Sequence, residues 1–154
     1  MIRLAEKKDI DTILLLLGEV LSIHANGRPD VFKSGVTKYN RKQVEELISK
    51  KDAPVYVYEC DGVVVGYAFC VLREQEETNV LKAYKYLYID DLCVSTTKRG
   101  QGIGRALYNH VKEEAKRFNC TRVTLNVWHL NSSALGFYMS LGLNPLKTTM
   151  EEIL

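Results

Sequence analysis

The segment of the chain best suited to chemistry is a glycine-rich turn. Residues 94–105 read VSTTKRGQGIGR and lie between a β-rich run and a helical pattern. Glycines let the backbone approach a ligand closely, so that successive N–H groups can point towards it. The N-terminus of the following helix adds a positive partial charge. The segment therefore predicts an anion site that fits a pyrophosphate.

The spacing of the glycines separates this turn from two nucleotide-binding motifs. A nucleoside-triphosphate loop needs GxxxxGK[ST], which is absent, and a dinucleotide-binding turn needs GxGxxG. Here Gly100, Gly102 and Gly104 read GxGxG, with Arg105 following. The spacing thus disfavours both nucleotide motifs. A tight strand-to-helix turn without any ligand stays open on the glycines alone.

A β-α-β unit has to position this turn. A β-rich run covers Tyr84–Val94, apolar residues at helical spacing predict a helix over Gly104–Phe118, and Thr121–Val127 predicts the next strand. A last amphipathic helix is predicted over Asn131–Leu141, and Gly142 stops it. We expect a terminal strand after it.

The N-terminal half supplies further strands and two helices. Asp61-Gly62 between two β-branched runs is a strong hairpin signal. The resulting order, β-α-α-β-β-β-α-β-α-β, predicts one α/β (α+β) domain over residues 1–154, a mixed sheet with helices on both faces. The predicted elements of this half are strand Met1–Leu4, helix Asp9–Ile23, helix Arg41–Ser49, and strands Val55–Cys60 and Val63–Phe69.

Composition disfavours several other functions. The 154 residues carry a net charge of +2, which gives no basic field that argues for nucleic acid. Apolar runs such as Ile13–Leu17 are far short of the roughly 20 residues that cross a bilayer. The charged N-terminus does not resemble a signal peptide. The four cysteines form no metal-ligand cluster. We therefore expect a cytoplasmic protein without nucleic-acid, membrane or metal binding.

Two motifs resemble those of a known family. Arg99-x-x-Gly102-x-Gly104 after a strand ending at Val94 resembles the acetyl-CoA-binding motif of the GNAT superfamily of N-acetyltransferases. Residues 131–143, NSSALGFYMSLGL, are similar to the second conserved block of that family, with Leu143 where Phe is usual. The resemblance covers nearly the whole chain. It implies a mostly antiparallel sheet in which two parallel strands splay apart, and a coenzyme A cofactor.

The resemblance also implies where acetyl-CoA binds. Its pantetheine arm would lie between residues 86–94 and 121–127 and bond to backbone groups around Leu92, Cys93 and Val94, as a missing strand would. The N-terminal part of the last helix, through Asn131 and Ser133, would contact the cofactor. The pyrophosphate would lie on the residues of the glycine-rich turn, which are Arg99, Gly100, Gln101, Gly102, Ile103, Gly104 and Arg105.

Three residues are candidates for proton transfer. An alkylamine is protonated at neutral pH, so a carboxylate near the thioester would serve as its base. Strand alternation would send Asp90 and Asp91 to opposite faces unless a bulge intervenes. The segment 88–94 resembles that of spermidine/spermine N-acetyltransferases, which favours Asp90. Tyr138 occupies the position at which the family often has its general acid. For each residue, a purely structural role stays open.

The implied function is transfer of an acetyl group from acetyl-CoA to a primary amine of a small molecule or peptide, by direct attack in a ternary complex. A domain that binds acyl-CoA as a sensor without catalysis, or an interaction domain, is the alternative. The residues that select the acceptor are expected in the loops His24–Val36 and Arg73–Lys82. A homodimer is one option for the assembly.

Overall fold

The structure, a computed structural model, describes all residues from 1 to 154 and consists of one five-stranded sheet with helices on both faces. The strands follow chain order, β1-β2-β3-β4-β5, with antiparallel neighbours except for the parallel pair β4 and β5. This confirms the predicted fold class. The bounds are β1 Ile2–Leu4, α1 Ile10–Gly27, α2 Arg41–Ile48, β2 Val55–Cys60, β3 Val63–Gln75, β4 Tyr84–Val94, α3 Ile103–Arg117, β5 Arg122–Leu125 and α4 Ser132–Ser140.

Each face of the sheet carries its own apolar cluster. On one face, α1 and α2 pack on the sheet through side chains that include Ile13, Leu17 and Val44. On the other face, α3 packs through Leu107 and Val111. Alternation along β2 and β3 sends successive side chains into one cluster and then the other, which explains why these strands are apolar almost throughout.

The hairpin between β2 and β3 follows from its turn residues. Asp61 and Gly62 have φ angles of 51° and 79°, so both lie in the left-handed region. Two successive left-handed residues match the twist of an antiparallel pair, and Asp-Gly is a preferred sequence for such a turn. The predicted hairpin is therefore confirmed.

Three element boundaries differ from the sequence-based expectation. Helix α1 continues through Gly27, so His24 to Gly27 are helical rather than part of a loop. Strand β3 continues to Gln75, because its outer residues pair with the first residues of β4. The expected terminal strand is absent: the chain beyond Gly142 pairs with no strand of the sheet, and its exposed apolar side chains are Leu146, Met150, Ile153 and Leu154.

The segment Lys7–Gly27 is long and apolar enough to cross a membrane by length and composition alone. The same property is common in core helices. Here the side chains of Ile10, Ile13 and Leu17 are buried against the sheet, which accounts for the apolar character of one side of α1. We therefore interpret this segment as a core helix.

Strand β4 contains two irregularities that matter for the site. Its pairing with β5 ends at Ile89 opposite Leu125, so the last five residues of β4 have no neighbour on that side. Its register with β3 also shifts between Phe69 and Cys70, which leaves Asp90 as an extra residue in a β-bulge.

Candidate active site

The two parallel strands leave an open edge on β4. Ser95 N–H donates to Val65 O of β3 at 2.9 Å, which fixes which residues of β4 turn their backbone groups towards β3. In an antiparallel pair these residues alternate, so Leu92 and Val94 turn their N–H and C=O groups away from β3, into the gap left by β5. The Val94 carbonyl accepts a hydrogen bond from Arg99 Nε at 3.1 Å, which agrees with a carbonyl that points away from β3. A strand-like ligand could add to this edge.

The glycine-rich turn continues from this edge and presents a row of free donors. None of the seven backbone N–H groups of residues 99–105 has an acceptor in the protein. Gly100 and Gly102 have φ angles of 76° and 79°, a conformation that L-residues adopt reluctantly, and Gly102 is the N-cap of α3. Together with the helix dipole, these free donors could bind an anion.

The bulge in β4 changes the direction of the two neighbouring carboxylates. Ile89 packs in the α3-side cluster, whereas Cys93 packs in the α1-side cluster, so the strand changes phase between them. Asp90 bonds to Tyr39 and Asp91 to Tyr67, and both tyrosines pack on the α1 side of the sheet. The two carboxylates therefore share one face, and the alternation expected for a regular strand does not hold.

Asp90 is the centre of a small polar cluster on this face. Its Oδ2 accepts from the Tyr39 hydroxyl at 2.5 Å and lies 2.9 Å from Lys38 Nζ. Lys38 Nζ also donates to the backbone carbonyl of Asp90 at 2.8 Å. The carboxylate and carbonyl of the bulge residue thus bind one cation together at the open part of β4.

Asp91 lies beside this cluster. Its Oδ2 accepts from the Tyr67 hydroxyl at 3.0 Å. Burial raises the pKa of the Asp91 carboxyl above its ordinary value, and neighbouring Asp90 raises it further. The Lys38 cation and the Tyr67 hydrogen bond act in the opposite direction on this pKa but do not offset the loss of water.

Tyr138 comes to the same place from α4. Burial raises the pKa of its hydroxyl, and the charges of Asp91 and Cys93 contribute to the shift, so the group keeps its proton at neutral pH. The hydroxyl has no hydrogen-bond partner in the protein and remains available as a donor. Gly104 explains how α4 gets so close to α3, because a Cβ at this position would lie 3.0 Å from Phe137 Cζ.

Three residues that were predicted to contact the cofactor have side chains engaged elsewhere or exposed. Cys93 turns its backbone towards β3, and its buried thiol donates to Leu16 O at 3.7 Å. Burial raises the pKa of this thiol to about 12, which makes it a poor nucleophile. Asn131 caps α4 by accepting from Ala134 N at 3.1 Å, so only its amide nitrogen is free. Ser133 is exposed in the first turn of α4.

Some residues of this site were not predicted from the sequence. Lys38 and Tyr39 lie between α1 and α2 in a stretch without periodicity, and no local signal connects them with Asp90, about 50 residues away. Tyr67 had a signal, because a phenol within an apolar strand usually needs a hydrogen-bond partner. Residues 34–37 and one side of α1 also border a groove of about 760 Å³ next to Lys38.

Comparison with known proteins identifies the family. Residues 22–143 match the family described as acetyltransferase (GNAT) family. The match covers well over half of the chain, so the protein belongs to this acetyltransferase family. The resemblance inferred from the two sequence motifs is confirmed.

Individual relatives are more distant. The chain is 27% identical over 154 residues to a thialysine N-epsilon-acetyltransferase of Bos taurus, covering 95% of this chain and 85% of that protein. It is 29% identical, with a TM-score of 0.96, to a crystal structure of a mutant BH1408 protein from Bacillus halodurans, covering 100% and 99% of the two chains. An aminoglycoside N-acetyltransferase solved in complex with CoA shares the fold, with a TM-score of 0.69 and 15% identity over 100% and 98% of the two chains.

Proposed function

We propose that this protein transfers an acetyl group from acetyl-CoA to a primary amine of a small molecule or peptide. The observation that carries the proposal is a row of backbone N–H groups without a strand partner or an acceptor, from those of Leu92 and Val94 on the open edge to the seven of residues 99–105. Convergent N–H groups at a glycine-rich turn and a helix N-terminus suit an anion, and this supports a phosphate-bearing ligand on the row. The complex of an aminoglycoside N-acetyltransferase with CoA supports coenzyme A as that ligand.

The residues present fit both ends of this cofactor. The pyrophosphate would accept hydrogen bonds from the amides of the glycine-rich turn, with Lys98 and Arg105 as nearby cations. The amide groups of the pantetheine arm would pair with Leu92 and Val94 as a short added strand. Acetyl-CoA would supply an activated thioester. Metal ligands have no part in this arrangement.

Asp90 is the proposed proton acceptor. Its carboxylate and carbonyl already face a cation on the α1 side of the sheet, which is the geometry that an incoming ammonium group requires. The amine must lose a proton before it can attack, and Asp90 can accept that proton directly. Asp91 lies beside it and adds negative potential to the same pocket.

Tyr138 is the proposed proton donor to the leaving thiolate. Its hydroxyl is protonated at neutral pH, has no partner in the protein and lies near the part of β4 where the pairing with β5 has ended. Because direct transfer between two bound substrates needs no nucleophile from the enzyme, the buried Cys93 is not required.

A cationic acceptor is the substrate class that this pocket favours. The carboxylates of Asp90 and Asp91 lie on its α1 side, each accepting a hydrogen bond from a tyrosine hydroxyl, and the one cation paired with Asp90 is Lys38. The names of two relatives, which describe a thialysine and an aminoglycoside N-acetyltransferase, also refer to amine-bearing substrates. We propose lysine-like amino acids, polyamines and aminosugars as the first amines to test.

The deciding experiment measures release of free thiol from acetyl-CoA with and without a panel of amines. Thiol release that depends on an amine, with a matching acetylated product by mass spectrometry, would support the enzyme. Tight binding of acetyl-CoA without turnover on any amine would favour the sensor. If the protein does not bind acetyl-CoA at all, an interaction domain would be the remaining interpretation.

Assembly and location are further proposals. The exposed apolar side chains beyond Gly142 and the short edge strand β5 would be covered in a homodimer, which light scattering can test. All four cysteines are unpaired, and this is compatible with a reducing cytoplasm. Fractionation of cells that express the protein would test its location.

A further inference from the structure

The ion pair of Lys38 differs from those of the other paired lysines. Lys8 and Lys116 pair with glutamates two and three residues away on exposed surface, whereas Lys38 reaches Asp90 across 52 residues. Its Nζ lies 2.9 Å from Asp90 Oδ2, 2.8 Å from Asp90 O and 5.7 Å from the centre of the Tyr39 ring. A primary amine of the protein itself is thus bound where the amine of a substrate is proposed to bind.

The position of this amine along β4 is equally specific. Asp90 is the first residue of β4 beyond its last pair with β5, which is Ile89 with Leu125. Under the proposed function, the acyl end of the cofactor reaches the pocket at this point, along the edge formed by Leu92 and Val94. The Lys38 amine therefore lies at the site of transfer, on the face from which an acceptor would approach.

A permanent structural role is a weak explanation for this contact. The side chains of Lys38 and Asp90 are 41% and 18% exposed, so the pair is partly solvated. Ion pairs with a cation this exposed add little to stability, and Lys38 is not held in place by burial. The amine can therefore lose its proton and turn towards an acyl group without disturbing the core.

We propose that Lys38 is an internal acceptor, and that the protein acetylates its own Lys38 ε-amine when no competing amine is present. This inference rests on the proposed function. The Nζ–C bond of the acetamide forms as the C–S bond of the acyl-CoA thioester breaks. The Lys38 ammonium first gives one proton to Asp90, which passes it to solvent, and the free amine then attacks the thioester carbonyl. The leaving thiolate takes a proton from Tyr138, and the second proton lost by Nζ restores Tyr138 through solvent. The products are acetyl-Lys38 and free coenzyme A.

The test follows acetylation of individual lysines by peptide mass spectrometry after mixing the protein with acetyl-CoA alone. Lys51, which is exposed and has no ion-pair partner, reports the chemical background. Because positioning two groups together raises their effective concentration greatly, we expect Lys38 to react at least about 100-fold faster than Lys51. The rate per molecule should not depend on protein concentration, and a saturating acceptor amine should suppress it.

One variant and a parallel assay separate this inference from the proposed function. Gly102→Asp, which impairs capture of the cofactor, should reduce the Lys38 rate to that of Lys51. The amine panel is assayed with the same protein. If amines are acetylated while Lys38 reacts no faster than Lys51, the inference is overturned and the proposed function stands. If neither reacts, both are overturned.

Discussion

Replacing Gly102 tests the anion site most directly. A Cβ at this position would meet nothing within 4 Å, so a side chain there fits without a clash. The backbone is left-handed, with φ 79°, and Asn and Asp are the residues that tolerate this conformation best after glycine. Gly102→Asp and Gly102→Asn therefore share the same strain and nearly the same shape, and they differ in one negative charge.

The effect of that charge can be worked out from its position. For a pyrophosphate on the neighbouring N–H groups, we take a separation of about 4 Å from a carboxylate at the N-cap of α3. Two unit charges at that distance repel by about 4 kcal/mol at an effective dielectric of about 20, and by about 1 kcal/mol in bulk water. Because Gly102 is exposed, an intermediate value of roughly 2–3 kcal/mol applies, which is about 30- to 150-fold in affinity.

Calorimetric titration with acetyl-CoA measures the difference between the two variants. We expect Gly102→Asn to bind within about 10-fold of the unmodified protein and Gly102→Asp to bind about 30- to 150-fold more weakly than Gly102→Asn. Higher salt should narrow the gap because it screens the repulsion. Equal affinities for the two folded variants would refute the assignment of residues 99–105 as the pyrophosphate site.

Three further predictions concern the proton-transfer residues. Asp90→Asn should lower kcat about 10²–10⁴-fold with little change in cofactor affinity, and the loss should shrink as pH approaches the pKa of the amine; a kcat–pH profile that shows this for Asp91→Asn instead would reverse the roles. Tyr138→Phe should lower kcat over the same range, and an acyl donor with a more acidic thiol should restore much of the rate; equal slowing with both donors would exclude a proton donor. The pKa of Asp91 is higher in the folded protein than in the unfolded chain, where it has its ordinary value of about 4. Ionisation of Asp91 therefore lowers the free energy of unfolding as pH rises from about 4 through the raised pKa. Thermal unfolding should therefore show Asp91→Asn more stable at neutral pH, by about 2–4 °C for each kcal/mol removed, with the gain lost below about pH 4; a gain that persists at low pH would contradict this origin.

The elements and the glycine-rich turn between β4 and α3 could be predicted because their signals are local. Helical spacing, the Asp61-Gly62 turn and the glycine-rich turn each depend on residues that are close in sequence. The faces of Asp90 and Asp91 could not be predicted in this way. They depend on a bulge set by the pairing of β4 with Phe69 and Cys70, about 20 residues earlier in the chain.

The pocket around Asp90 illustrates the same limit. Lys38 and Tyr39 belong to an irregular segment, and their role appears only when the chain has folded that segment over the sheet. Similarly, the family pattern places Tyr138 in a motif, but its distance from the open edge depends on how closely α4 packs on Gly104. Contacts between distant segments are set by tertiary packing, which a linear pattern does not encode.

The unpaired amides of residues 99–105 also make the stability of the folded protein depend on the concentration of its ligand. Without an anion, the first turn of α3 lacks partners for its donors, so this region should open and exchange its amide hydrogens readily. A ligand that binds only the folded state adds stability by mass action, about 2.7 kcal/mol at a concentration 100 times its Kd. Cells rich in acetyl-CoA would then hold more of this protein in its folded form, and starvation for the cofactor would expose it to proteolysis.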